Sequence, residues 1–116
     1  MTKPAFYLTR QAARTLRDIY ARSEEIWGQS RAESYIAEIY AAMNKAAMDP
    51  DVGKLRQARS APFFMIPAGK HFIVYDRFAK GVVILTLLHQ RRDIETLIAE
   101  METSFFAEIE AIKKEL

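Results

Sequence analysis

The sequence has no cysteine, only four glycines and four prolines, one tryptophan and two histidines among 116 residues. Without cysteine there are no disulfides, no thiolate nucleophile and no cysteine-ligated zinc. His71 and His89 have no HExxH partner and no carboxylate at diagnostic spacing, so no metal is expected. Four scattered glycines make neither GxGxxG nor a Walker loop, so no nucleotide cofactor is expected. Ser60 and Ser104 lie in no nucleophile elbow, which argues against a Ser/His/Asp hydrolase. The longest apolar run, about Val82 to Leu88, falls far short of the ~20 residues of a membrane span. No apolar run follows Met1-Thr2-Lys3-Pro4, so no signal peptide is expected and the cytoplasm is the expected compartment. There is no flexible linker or repeat. The length is below the ~150 residues of a typical domain, so one unit is expected. Hydrophobic residues make up 50% and charged residues 28%, the composition of a globular chain.

What is present is ordered by its glycines and prolines. Ala5 to Thr9 reads as a short strand. Arg10 to Trp27 carries Ala12, Leu16, Ile19, Ile26 and Trp27 at helical spacing, with Ser23 in the remaining slot, Thr9 as N-cap and Gly28 as terminator. Ser30 and Glu33 fit a capping box for a second helix, whose stripe runs through Ala32, Tyr35, Ile36, Ile39, Tyr40, Met43, Ala46 and Ala47. Phe63–Ile66, His71–Phe78 and Val82–His89 read as three strands, the last apolar enough to be covered on both faces. Ala79-Lys80-Gly81 fits a hairpin turn. From Asp93 the residues Ile94, Leu97, Ile98, Met101, Phe105, Ile109, Ile112 and Leu116 keep helical spacing. The expected fold is α+β in the order β-α-α-β-β-β-α. An N-terminal strand and an antiparallel helical hairpin pack on a small, mostly antiparallel sheet, with an extra C-terminal helix.

Charge divides the chain. Residues 1–92 carry 15 Lys and Arg against 8 Asp and Glu, while residues 93–116 carry 2 against 7. A basic body with an acidic tail suggests two surfaces with different tasks, although ordinary surface scatter also fits. The densest polar cluster is His89-Gln90-Arg91-Arg92-Asp93, at a strand end where His71 and Tyr75 can converge. Such groups can hold a phosphate, activate a hydroxyl or grip an acidic partner. The structural alternative is that Asp93 caps a helix and His89 is a satisfied buried histidine. Arg10, Arg14 and Arg17 share one face of the first helix, with Arg22 and Arg31 further along the hairpin.

Several segments then align with one known family. They are Phe6-Tyr7-Leu8-Thr9 followed by Ala12, Leu16, Asp18 and Ile19; Trp27-Gly28 with Ala32 and Tyr35; and Asp49-Pro50-Asp51-Val52-Gly53. They continue with Pro67-Ala68-Gly69-Lys70-His71-Phe72-Ile73-Val74-Tyr75, then Ile84 and Leu87-Leu88-His89-Gln90-Arg91-Arg92-Asp93. Taken in order, these resemble the ParE toxins of the RelE/ParE superfamily, from type II toxin–antitoxin modules, over about residues 3–94. Two departures stand out. Phe63-Phe64-Met65 and Leu85-Thr86 occupy places where ParE-like chains commonly carry arginine.

The resemblance implies a toxin domain over residues 1–94, with 95–116 a C-terminal helical extension of the same domain. It implies a non-enzymatic toxin that inhibits DNA gyrase by binding and is neutralised by a ParD-like antitoxin. The expected target-binding residues are Arg56, Arg59, His89, Arg91 and Arg92. The expected antitoxin-binding residues are Arg10, Arg14, Arg17, Tyr20, Trp27, Tyr35 and Tyr40, although periodicity assigns most of these aromatics to the core. The alternative within the superfamily is a RelE-type, ribosome-dependent mRNA endoribonuclease, for which His71, Tyr75, His89 and Arg92 are the available groups. A further alternative is a non-toxic degenerate homologue. The apolar stripe of the acidic tail must be buried on the body or on a second copy, the latter giving a homodimer through the C-terminal helix. A sharper expectation is that the tail covers a basic working surface on the same molecule.

Overall fold

A computed structural model describes residues 5–57, 62–78, 81–91 and 110–114. Strand β1 (Ala5–Leu8) is followed by helices α1 (Arg10–Trp27) and α2 (Gln29–Met48). Strands β2 (Lys54–Gln57), β3 (Pro62–Ala68), β4 (His71–Phe78) and β5 (Gly81–His89) follow. The sheet order is β1-β5-β4-β3-β2; β1 runs parallel to β5 and the other pairings are antiparallel. Residues 110–114 form a helical turn; the rest of the helix expected from Asp93, and Ala79-Lys80 of the expected hairpin turn, lie outside the described residues. Among the described residues, no helix is long and apolar enough to cross a membrane.

Thr9 joins three elements. Its hydroxyl accepts the Ala12 N–H at 3.0 Å as the N-cap of α1 and donates to the Leu85 carbonyl at 2.7 Å. That carbonyl is available because β5 bulges. Val74 pairs with Thr86 and Tyr75 with Ile84, so Leu85 drops out of the β4 ladder. Thr9 is fully buried, and its own N–H reaches the Ile84 carbonyl at 3.2 Å.

The helices lie on one face of the sheet. Ala12, Leu16, Ile19, Ile39, Met43 and Ala46 pack there on Phe64, Ile66, Ile73, Tyr75, Val82, Ile84 and Leu87. A second cluster, on the helix-free face, contains Phe63, Met65, Val74, Val83, Leu85 and Leu88. Strand β5 feeds both, as its unbroken apolar run requires. Ile112 of the C-terminal turn packs against the second cluster, and Lys113 pairs with Asp76 of β4.

Two expectations need correction. The second helix is not capped by Ser30: Gly28, at φ 90°, takes the N-cap position with no side-chain hydrogen bond, and Ser30 lies inside the helix. Strand β2 was not expected, because Lys54-Leu55-Arg56-Gln57 offers one apolar residue. It is an edge strand whose Leu55 is 53% exposed, so burial never imposed an alternating pattern on it. Phe63 and Phe64 of the neighbouring β3 are both buried.

Replacing Thr9 with Val removes the cap and leaves the Leu85 carbonyl without its hydroxyl donor. The expected loss is about 1–3 kcal/mol, read as a lower urea midpoint at unchanged slope.

Candidate functional site

A groove of about 670 Å³ opens where the hairpin bends over one end of the sheet. Helix α1 contributes Asp18, Ile19, Arg22, Ser23, Ile26 and Trp27, and α2 contributes Arg31 and Tyr35. The β3–β4 turn adds Gly69 and Lys70, and the paired strand ends add His71 and His89. The α1 stripe explains the first wall. Leu16, Ile19 and Ser23 are buried, but the stripe continues to Ile26 and Trp27, which are 58% and 50% exposed. Large apolar side chains left open on an otherwise paired helix mark a contact surface.

Charge surrounds that apolar patch. The Arg31 guanidinium and the Lys70 ammonium each lie 5.7 Å from the Trp27 ring centroid. Arg22 adds a third cation, and Asp18 is the one acid in the lining. An aromatic face between two cations is stabilised by its ring quadrupole and is held ready for an anionic or acidic partner.

The opposite wall is fixed by a network around Tyr35. Its hydroxyl accepts the Lys70 N–H at 2.9 Å and lies 2.6 Å from His71 Nδ1. Burial pushes the Tyr35 phenol up, so it stays protonated and donates to that nitrogen. The assignment places the His71 proton on Nε2. Burial, and then the neighbouring His89, push the His71 imidazole below its ordinary range and favour the neutral ring. Gly69, at φ 58°, lies against the Tyr35 ring, and a β-carbon there would strike it. Gln90 completes the clamp: its N–H donates to the Lys70 carbonyl at 2.9 Å and its side-chain amide to the Gly69 carbonyl at 3.0 Å.

The expected site residues separate into groups. His71 and His89 are together, with ring centroids 5.2 Å apart. Arg91 follows on the same rim, its N–H donating to His89 Nδ1 at 3.2 Å. Tyr75 is elsewhere: four residues along β4 from His71, or about 13 Å, it is fully buried. Its hydroxyl donates to the Pro50 carbonyl at 2.8 Å and accepts the Gly53 N–H at 2.9 Å, which ties down the loop after α2. Arg56 is exposed on edge strand β2, opposite Phe63 and far from the His89 rim. Arg59 and Arg92 lie outside the described residues.

Among the antitoxin candidates, Trp27 and Tyr35 line the groove. Arg10, Arg14 and Arg17 are exposed along α1; Tyr20 is half-buried beside Glu24, and Tyr40 is exposed against Phe6. Periodicity had assigned most of these aromatics to the core, yet none is buried. Lys70 and Asp18 were not singled out as site residues. The signal for Lys70 was its place after Gly69, in a turn between two strands.

Comparisons with known proteins agree on one family. A family model described as "ParE toxin of type II toxin-antitoxin system, parDE" matches residues 6–94. The chain is 30% identical over 91 residues to Toxin ParE1 of Mycobacterium tuberculosis, covering 77% of this chain and 93% of the relative. It is 32% identical over 85 residues to Toxin ParE1 of Caulobacter vibrioides, covering 73% and 88%. A solved structure described as "Chromosomal ParDE TA system from P. aeruginosa" shares the fold with a TM-score of 0.63 at 17% identity, covering 73% of this chain and 94% of that one.

The His71 shift sets a pH dependence. With its folded pKa lowered, the unfolded chain binds more protons, so stability present above the ordinary histidine pKa of about 6.5 is lost as pH falls towards the lower folded value. Urea midpoints measured from pH 7.5 to 5 should fall on acidification, and His71→Gln should flatten that fall.

Proposed function

The chain belongs to the ParE toxin family of parDE type II toxin–antitoxin systems, and from that premise we propose that it acts by binding rather than catalysis, in the cytoplasm. Its target is DNA gyrase, and a ParD-like antitoxin neutralises it. The observation that carries this reading is the groove: Trp27 half-exposed between Arg31 and Lys70, with Arg22 beside them. A binding protein needs an accessible aromatic anchor ringed by complementary charge, and hot spots are enriched in Trp, Tyr and Arg. The groove suits an acidic segment with apolar side chains, as an antitoxin's toxin-covering arm would present.

The rim formed by His89 and Arg91 is the proposed gyrase contact, continued by Arg92 in sequence. It adjoins the groove through His89. An antitoxin seated in the groove therefore covers the rim, and neutralisation is occlusion. Arg56, at the other edge of the sheet, is left outside this surface. The ribonuclease alternative loses ground because Tyr75 is committed to Pro50 and Gly53, which leaves His71 and His89 without it.

The test is supercoiling by purified gyrase with and without the chain, scoring trapped cleaved DNA. Inhibition with accumulating cleaved DNA is expected, weakened at least tenfold, or about 1.4 kcal/mol, by Arg91→Glu. A folded chain that arrests growth without affecting gyrase would overturn the target and direct attention to ribosomal mRNA cleavage. A folded chain that does neither would mark a degenerate homologue.

The groove has its own test. Trp27→Ala should weaken a cognate antitoxin by about 2 kcal/mol or more, roughly thirtyfold. Lys70→Glu should act in the same direction, measured by titration calorimetry with the circular dichroism spectrum unchanged.

A further inference from the structure

The sheet face turned away from the hairpin should be wet, yet Phe63, Met65, Val74, Val83, Leu85 and Leu88 are all at most 5% exposed. The described element against them is the helical turn 110–114. It engages the face in two chemically different ways. Ile112 packs into the apolar cluster, and the Lys113 ammonium meets the Asp76 carboxylate at 2.5 Å. That pair is largely withdrawn from solvent, at 21% and 25% exposure, so it is worth more than a fully solvated surface pair. It also fixes register, because only one side of a helical turn can present Ile112 and Lys113 to the sheet together.

The covering turn comes from outside the family match, which ends at residue 94. The Mycobacterium tuberculosis relative is 93% covered by an alignment that uses 77% of this chain. The sequence beyond residue 94 carries Ile98, Met101, Phe105, Ile109, Ile112 and Leu116 at three- and four-residue intervals. It is acidic where the body is basic. Register also places Lys54 and Arg56 of β2 on the covered face, opposite Met65 and Phe63, as a basic margin beside an apolar floor.

We propose that the C-terminal turn 110–114 is the resident occupant of the helix-free sheet face: an intramolecular cover, seated by Ile112 and registered by Lys113 on Asp76. The surface beneath this turn is an apolar floor with Lys54 and Arg56 along its edge. The same arrangement accounts for the two departures from the family pattern, since Phe63, Met65 and Leu85 form that floor. With this face closed, the chain meets other proteins through its hairpin, groove and rim.

The test uses the full chain and a zero-length carbodiimide, which joins a lysine to a carboxylate in direct contact as an amide with loss of water. Unlabelled and nitrogen-15-labelled chains are mixed in denaturant, refolded together and cross-linked, and the peptides are read by mass spectrometry. A cross-link between Asp76 and Lys113 within single chains is expected, giving all-light and all-heavy products only. Lys113→Glu should abolish it, and the exchanged pair Asp76→Lys with Lys113→Glu should restore a link between the same positions. Ile112→Asp should weaken the link and cause self-association in sedimentation. Mixed light–heavy products would assign the face to a second copy's tail and overturn the proposal. So would absence of the link in a folded wild-type chain, or an Ile112→Asp chain that stays monomeric with the link intact.

Discussion

A single buried hydroxyl fixes the relation between the helical layer and the sheet. Thr9 ends β1, caps α1 and satisfies the Leu85 carbonyl that the β5 bulge takes out of its ladder. A cap stabilises a helix wherever it occurs, but here its donor function is spent on a strand, so helix start and strand bulge are held as one unit. From that point α1 runs 18 residues to Gly28, and α2 returns across the same sheet face. The groove lies where this path overhangs the ends of β4 and β5. Its geometry is inherited from a contact at the opposite end of α1.

The groove is preorganised on one wall and open on the other. Tyr35, Gly69, Lys70 and Gln90 lock the β3–β4 turn with four hydrogen bonds and one close ring packing. Trp27 and Ile26 on the facing helix remain in solvent. A rigid wall lowers the entropy lost on association, and exposed apolar surface supplies the driving force. Both histidine rings sit in this wall with Nδ1 already engaged in a hydrogen bond, to the Tyr35 hydroxyl and the Arg91 N–H, an arrangement that suits recognition better than proton transfer.

Strong local periodicity made both helices, β1 and strands β3 to β5 readable, and β5 announced its burial on both faces by its unbroken apolar run. Strand β2 was unreadable because an exposed edge demands no pattern. Tyr75 looked like a site residue because it shares a strand with His71; only the bulge and the loop after α2 reveal that its hydroxyl is a structural tie. Trp27 and Tyr40 looked like core because helical spacing tells which side a residue is on, not where the opposing layer stops. Arg91 and His89 were candidates from their position at a strand end, whereas placing Lys70 in the groove required knowing that its turn folds against Trp27. The tail's apolar stripe was visible, but the seat of Ile112 was not, since a stripe does not say which surface it meets.

The parallel pairing of β1 with β5 sets synthesis and assembly in opposite orders. Thr9 leaves the ribosome 76 residues before its carbonyl partner. At about 5–20 residues per second that interval is roughly 4–15 seconds. The hairpin, built from contacts close in sequence, can form early, whereas the sheet wall with His71 and His89 must wait for a contact of high sequence separation. The nascent chain is therefore without its groove until β5 has been made, long after both helices of the hairpin are complete.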